Sequence, residues 1–148
     1  VNTYLKEFLL YKGIDPEKDP FTLKMSGGPD GDVAGNEILN LYRYYPKTAK
    51  LIALTDVSGT AHDPDGLDLA ALKDLFKLGK PISYYPPEKL SNGGFLVNKH
   101  LKKETSALVQ HTCCWRKSGN ALVQEWISGS EMNHLIRENI NKTKTDVF

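Results

Sequence analysis

Glycines and acids alternate in the stretch GGPDGDVAGNEI, residues 27–38, directly ahead of apolar residues with helical spacing. Gly28, Gly31 and Gly35 allow a sharp turn, a close approach of the backbone to a ligand, and close packing of a helix on a strand. The N–H groups that begin a helix are available to bind an anion. We therefore predict that this stretch binds a phosphate group, most naturally a pyrophosphate.

A second candidate is Asp56, which follows the apolar run Leu51–Leu54. A carboxylate at the end of the next strand is placed to hydrogen-bond the ribose hydroxyls of an adenosine moiety. It would also repel a 2′-phosphate. The hydrogen bonds to the ribose and the repulsion of a 2′-phosphate both favour NAD over NADP as the ligand.

Two details differ from the usual dinucleotide pattern. The glycines are spaced G-x-x-G-x-x-x-G rather than G-x-G-x-x-G. Asp30 and Asp32 place carboxylates beside the proposed phosphate, where like charges about 4 Å apart cost on the order of 1 kcal/mol even in water. We expect these two side chains to turn away and cap the loop or the helix. The alternative is a glycine turn that only lets a helix pack on a strand.

The first 80 residues predict helix, strand, helix, strand and helix. The helices are predicted by apolar residues at three- and four-residue steps. The strands are predicted by the alternation in FTLKMS and by the continuous apolar run Leu51–Leu54. Asp65 is the expected N-cap of the third helix, and Gly79 its expected end. Strands separated by helices indicate a parallel sheet. The predicted fold is therefore an α/β, three-layer Rossmann-like domain with a mostly parallel sheet and helices on both faces.

The second half has a weaker pattern. Residues 82–97 predict a loop or extended segment, and residues 98–115 fit either a helix or a strand. Ser128 and Glu131 have the spacing of a capping box, which predicts a helix ending at about Asn139. The final TDVF has the composition of a strand that is just beginning.

Composition narrows the functional class. The 148 residues carry a net charge of +1, with 40% hydrophobic and 25% charged residues. This is typical of one globular domain and gives no indication of nucleic-acid or membrane binding. No run approaches the roughly 20 apolar residues of a membrane helix, and no signal peptide is evident, so we expect a cytoplasmic location. The chain opens without Met and stops at TKTDVF, so we expect a single domain, residues 1–148, cut from a longer protein.

Other chemistry-bearing residues favour structural interpretations. His111, Cys113 and Cys114 could supply metal ligands, but neighbouring side chains rarely converge on one ion and no second cluster is present, so we expect no metal site. A catalytic thiol has no supporting motif, although four histidines could act as its base: His62, His100, His111 and His134. The acids of HDPDGLD lack the later glycine and glutamate of a calcium loop, and helix capping is the preferred interpretation.

Three segments, KMSGGPDGDVAGNEI, ALTDVSGTAHDPDGLDLAALKDL and NKTKTDVF, together resemble the nucleotide-binding domain of the large NAD-specific glutamate dehydrogenases. The resemblance implies that the dinucleotide loop and the ribose-binding acid lie within this chain. The cofactor-binding residues that it implies are Gly28, Pro29, Asp30, Gly31, Asp32, Val33, Asp56, Val57 and Ser58.

The resemblance also implies a reaction and its partners. The parent enzyme would deaminate L-glutamate to 2-oxoglutarate and ammonia with hydride transfer to NAD. The lysines and the aspartate that handle the substrate come from a separate substrate domain whose motifs do not occur here. We therefore assign no catalytic residue and expect the chain alone to be inactive. The parent would be a homo-oligomer, in the mitochondrial matrix if the organism is eukaryotic.

Three alternatives stay open. The parent could be a dehydrogenase of another amino acid, since the substrate pocket is not in this chain. A degenerate Rossmann module that senses a nucleotide or serves as a scaffold fits the long glycine gap and the two loop acids. A methyltransferase shares a glycine loop and an acid after the second strand, although its loop is usually shorter and less acidic.

Overall fold

A computed structural model describes residues 2–104 and 109–148. The predicted elements of the first half are confirmed, and the second half consists mainly of strands. In chain order the elements are α1 Asn2–Tyr11, β1 Phe21–Ser26, α2 Asp32–Tyr44, β2 Ala49–Asp56, β3 Gly59–His62, α3 Leu69–Leu78, β4 Phe95–Glu104, β5 Gln110–Ser118, β6 Ala121–Ile127 and α4 Gly129–Asn141.

The α/β class is confirmed, but the expected mostly parallel sheet is wrong. Among the described residues, six strands lie in the order β1-β2-β3-β4-β5-β6, and of these only β1 and β2 pair in parallel. Only Val57 and Ser58 separate β2 from β3, and so short a turn can join only antiparallel strands. From β2 onward each strand pairs antiparallel with the next. Val147 forms an isolated parallel bridge with Leu23, which agrees with the expected beginning of a strand in TDVF.

Helices cover both faces of the sheet, as expected. The larger core lies under α1, α2 and α3, and the smaller one lies under α4. Leu96 packs into the larger core and its neighbour Val97 into the smaller one, because successive residues of a strand point to opposite faces. In β2, the four consecutive residues Leu51–Leu54 are all buried. This confirms the expectation of a strand buried on both sides.

The alternation in β1 also has a physical reason. Phe21 and Leu23 are buried in the larger core, whereas the polar residues of β1 make specific bonds on the other face. The Lys24 ammonium donates to the carbonyl of Ile140 at 2.5 Å, near the end of α4. The backbone N–H of Thr22 donates to Asp146 at 2.9 Å. A parallel strand can therefore carry polar residues here, because their partners are supplied by the end of the chain.

Two helix ends differ in detail from the prediction. The N-cap of α3 is Asp68 rather than Asp65, and its carboxylate accepts from the N–H of Ala71 at 3.0 Å. Gly79 ends α3 in the left-handed conformation, as expected. The expected helix start is confirmed, because the Ser128 hydroxyl accepts from the N–H of Glu131 at 3.1 Å, but the Glu131 carboxylate pairs with Arg116 instead of completing a capping box, and α4 continues to Asn141. In the described part of the chain, no helix is long and apolar enough to cross a membrane.

Candidate functional site

The glycine turn joins the end of β1 to the start of α2. Gly27 has φ 124°, and its N–H donates to the carbonyl of Thr55 at 2.8 Å, which ties the turn to the end of β2. Gly31 closes the turn with a 3.0 Å bond from its N–H to the carbonyl of Gly28. The helix then begins at Asp32. A glycine is needed at position 27, because other residues rarely adopt a positive φ.

The first turn of α2 lacks a side-chain cap. Its N-cap residue is Gly31, which has no side chain with which to accept a hydrogen bond. The N–H groups that begin the helix are thus available to an outside anion, and the helix dipole favours a negative charge there. The expectation that Asp30 and Asp32 cap this helix is wrong. Both side chains are exposed, and Asp30 borders a cavity instead.

Two glycines of the predicted pattern, Gly28 and Gly35, occupy positions where a Cβ would come closer than 3 Å to other atoms. A Cβ at Gly28 would lie 2.5 Å from a carboxylate oxygen of Asp30 and 2.5 Å from one of Asp56. A Cβ at Gly35 would overlap the ring of Phe76 on α3 and approach the carbonyl of Pro29 at 2.5 Å. Gly28 therefore leaves room for two carboxylates beside the turn, and Gly35 lets α2 and α3 pack closely. The sequence predicts close packing of a helix on a strand, whereas the contact that Gly35 allows is between two helices.

Asp56 lies at the end of β2, and hydrogen bonds within the protein hold it there. Its Oδ1 accepts from the N–H of Ser58 at 2.7 Å and from the Ser58 hydroxyl at 2.6 Å. Its Oδ2 accepts from the N–H of Ile82 at 2.9 Å. A carboxylate has about four acceptor positions, so three of those on Asp56 are already used.

The two residues after Asp56 differ in their surroundings. Val57 is 87% exposed and borders the same cavity as Asp30 and Asp56. Ser58 is fully buried, and its hydroxyl both donates to Asp56 and accepts from the N–H of Ser83 at 3.1 Å. Val57 is therefore accessible to a ligand, whereas Ser58 fixes the position of the acid.

Two cavities share the glycine turn. The smaller, of about 440 Å³, lies toward β2 and is lined by Ser26, Gly27, Gly28, Asp30, Thr55, Asp56 and Val57. The larger, of about 700 Å³, lies toward α1 and the end of the chain, and its lining is mostly apolar. Ser26, Gly27 and Gly28 border both cavities. One cavity is thus acidic and the other apolar, and the turn and the start of α2 lie between them.

The larger cavity contains one buried acid. Among its lining residues are Met25, Val33 and Val147, together with Glu37 of α2. Glu37 is only 7% exposed, and neither of its carboxylate oxygens makes a hydrogen bond of normal geometry with the described residues. Burial raises the pKa of this carboxyl above its ordinary value, and the amide of Asn40 offsets part of that effect. The cavity therefore holds a protonatable group in apolar surroundings.

The cysteines occupy positions that do not suit catalysis. Cys113 and Cys114 are adjacent on β5, fully buried, and unpaired as thiols. Because successive strand residues point to opposite faces, their sulfur atoms cannot converge on one ion. Burial raises the pKa of Cys114 to about 11, which keeps this thiol protonated at neutral pH. Within the described ranges, no group of three or more His, Cys, Asp or Glu side chains could hold a metal ion.

The acids of HDPDGLD are tied to the backbone. Asp63 is fully buried and accepts from the N–H of Asp65 and of Ser91, both at 2.9 Å. Asp68 caps α3. These bonds agree with the structural interpretation of the acids.

Sequence reasoning missed three features of the site. Gly27 was not among the predicted site residues, although the double glycine after a strand was a usable signal. The N–H of Ile82 donates to Asp56, which is 26 residues earlier in the chain, and no local sequence pattern predicts that contact. The burial of Glu37 follows from the packing of α2, where a glutamate would ordinarily mark a solvent-facing position.

Known proteins with similar sequences form one group. The chain matches the Glutamate/Leucine/Phenylalanine/Valine dehydrogenase family over residues 3–141. It is 36% identical over 97 residues to the NAD-specific glutamate dehydrogenase of Neurospora crassa, covering 66% of this chain and 8% of that protein. It is 34% identical over 117 residues to the probable NAD-specific glutamate dehydrogenase of Schizosaccharomyces pombe, covering 75% and 10%. The NAD-specific glutamate dehydrogenase of Saccharomyces cerevisiae is 42% identical over 73 residues, covering 49% and 6%. The aligned segments thus span a tenth or less of each of these relatives.

Proposed function

The chain belongs to the Glutamate/Leucine/Phenylalanine/Valine dehydrogenase family, and we propose that it is the NAD-binding domain of an enzyme that oxidises L-glutamate. Relatives from three fungi carry the name NAD-specific glutamate dehydrogenase, which supports both the cofactor and the substrate. The observation that carries the proposal is the uncapped start of α2, between an acidic and an apolar cavity that share one glycine turn.

A dinucleotide fits this arrangement in one orientation. Its pyrophosphate would lie at the start of α2, against the backbone of Gly28 to Val33. The adenosine half would occupy the smaller cavity, where Asp30 and Asp56 offer acceptors to the ribose and Val57 offers an apolar contact. The nicotinamide half would occupy the larger apolar cavity. The lack of a side chain at Gly28 leaves room for the carboxylates of Asp30 and Asp56 beside the turn, where they would face the ribose.

This chain would bind and orient the cofactor rather than handle the amino acid. When bound, NAD supplies the acceptor for the hydride that leaves the α-carbon of glutamate. The apolar lining of the larger cavity would exclude water from the nicotinamide half. The groups that bind the substrate and move its protons would come from a separate substrate domain, and we assign no catalytic residue within residues 1–148.

The family name supports a second substrate class. Its members act on glutamate, leucine, phenylalanine or valine, as their family description states, and the substrate pocket lies outside the site described above. Glutamate is preferred because the similar fungal proteins are named for it. The choice is tested in the longer protein by NADH formation with each of the four amino acids, and a preference for leucine, phenylalanine or valine would contradict our assignment.

Calorimetric titration of the chain with NADH and NADPH tests the cofactor assignment. Because half of the cleft would be missing, the titration must reach millimolar ligand, which corresponds to only about 4 kcal/mol of binding free energy. We expect saturable NADH binding that exceeds NADPH binding, and no NADH production from NAD and glutamate by this chain alone. Turnover by the chain alone would contradict the division of roles. A failure to bind either dinucleotide would favour the scaffold alternative, and preferential binding of S-adenosylmethionine would favour a methyltransferase.

A further inference from the structure

The smaller cavity contains two carboxylates that differ in how much they are already bonded. Asp30 and Asp56 both border it, and one oxygen of each lies 2.5 Å from the position that a Cβ would take at Gly28. None of its lining residues is a lysine or an arginine. A negatively charged group entering this cavity would therefore meet two acids and no basic side chain.

Asp56 is the more restricted of the two. It is partly buried, and it accepts from the N–H and hydroxyl of Ser58 and from the N–H of Ile82. With three of about four acceptor positions used, it can take at most one further hydrogen bond in this conformation. The two adjacent hydroxyls of a ribose need two acceptors, so Asp56 cannot bind both.

Asp30 has the opposite character. Its side chain is exposed, and it makes no hydrogen bond or ion pair with the described residues. It is in the turn itself, three residues ahead of Val33 and directly beside Gly28 in space. All of its acceptor positions are therefore available to a ligand in the cavity.

We infer that Asp30 determines the specificity of the adenosine side, by accepting hydrogen bonds from the ribose hydroxyls and by repelling a 2′-phosphate. Asp56 is then a positioning residue that fixes the end of β2 against Ile82 and contributes at most one acceptor. This inference rests on the proposed function, and it differs from the sequence-based assignment of Asp56 as the residue that distinguishes NAD from NADP.

Three isosteric variants separate the roles: Asp30→Asn, Asp56→Asn and Asp74→Asn. Asp74 is the matched control, because it is an exposed acid on α3 that borders neither cavity. The control removes the same charge from a position outside the proposed site. Binding of NADH and NADPH is measured by calorimetry, and thermal unfolding is measured for each variant.

We expect Asp30→Asn to reduce the preference for NADH over NADPH by at least about fivefold without lowering the melting temperature, since a nearby like charge costs on the order of 1 kcal/mol or more. Asp74→Asn should leave the preference within about twofold of the original, because its side chain is outside the cavity. Asp56→Asn should lower the melting temperature and change the preference less than Asp30→Asn does.

A preference that is lost in Asp56→Asn and kept in Asp30→Asn would overturn the inference while leaving the cofactor assignment intact. Equal losses in Asp30→Asn and Asp74→Asn would also overturn it, because the effect would then be one of general charge. Absence of binding of either dinucleotide to the unaltered chain would contradict the proposed function itself, and the inference with it.

Discussion

The backbone N–H of Ile82 donates a 2.9 Å hydrogen bond to Oδ2 of Asp56, and this bond joins the segment after α3 to the end of β2. Ser83 adds a second link, since its N–H donates to the hydroxyl of Ser58. The wall of the smaller cavity is therefore held by residues distant in sequence. The shape of the smaller cavity depends on how the segment after α3 packs as well as on the glycine turn.

Gly28→Ala should weaken NADH binding at least about tenfold, which is about 1.4 kcal/mol. The added methyl group would lie 2.5 Å from carboxylate oxygens of Asp30 and Asp56 and would displace both. Gly129→Ala is the control, because no atom lies within 4 Å of the position of its Cβ. Calorimetry measures both variants. Equal affinity of Gly28→Ala and the unaltered chain would contradict the role of Gly28 in placing the two carboxylates.

Gly35→Ala should reduce the free energy of unfolding by about 1–3 kcal/mol, the usual cost of an overpacked contact. Its Cβ would overlap the ring of Phe76, so α2 and α3 would have to move apart. Chemical denaturation measures the change. The double variant Gly35→Ala, Phe76→Ala should lose less stability than the sum of the two single variants. Additive losses would show that the two residues do not interact.

Asn139→Ala should reduce the free energy of unfolding by about 1–3 kcal/mol, because buried polar partners would be left without hydrogen bonds. Asn139 is 2% exposed and donates to the Thr60 hydroxyl at 2.6 Å and to the Ala61 carbonyl at 2.8 Å. It also contacts Nδ1 of His62 at 2.9 Å. Asn141→Ala, at an exposed position of the same helix, should change stability little. Similar losses in both variants would argue against an anchoring role for Asn139.

Glu37→Gln should stabilise the chain increasingly as the pH rises. Burial raises the pKa of Glu37 in the folded state above the ordinary value of 4.5, so the folded state favours its protonated form. The resulting stabilisation is complete below the ordinary pKa and is lost as the pH rises through the raised one. Glutamine keeps the shape and carries no charge at any pH.

Melting temperatures of Glu37→Gln and the unaltered chain, measured from pH 4 to pH 8, test this expectation. The difference should be small at pH 4 and should grow toward pH 8 in favour of the glutamine variant. Glu7→Gln, at an exposed position on α1, is the control and should show no such trend. A difference independent of pH would mean that Glu37 does not have a raised pKa.

The sequence was informative where local patterns decide the structure. Helical spacing, the apolar run of β2 and the N-cap at Ser128 each depend on a few neighbouring residues, and all three predictions are confirmed. The prediction of a mostly parallel sheet was wrong because β3, which is only four residues long, has too little periodicity to be recognised as a strand. A two-residue turn at Val57 and Ser58 then reverses the chain, and four antiparallel strand pairs follow from β2 onward.

The candidate site likewise combines features that local patterns predict with features that they do not. The glycines and the acid after β2 are local signals, and the structure places them around one turn. The contact from Ile82 to Asp56 and the burial of Glu37 arise from packing between distant segments, which a single sequence does not encode in any short pattern. The behaviour of Asp30 was misjudged for a related reason. The capping role of Asp30 was inferred from charge repulsion alone, whereas in the structure its side chain borders a cavity beside the turn.

The most direct test of the account is nuclear magnetic resonance of the labelled chain with AMP and, separately, with nicotinamide mononucleotide. If the glycine turn holds a dinucleotide between the two cavities, AMP should shift the amide signals of Thr55 to Val57, and nicotinamide mononucleotide those of Met25, Val33 and Val147. Both ligands should shift the signals of Gly27 and Gly28. Shifts from both ligands confined to the same cavity, or shifts distant from the turn, would contradict the account.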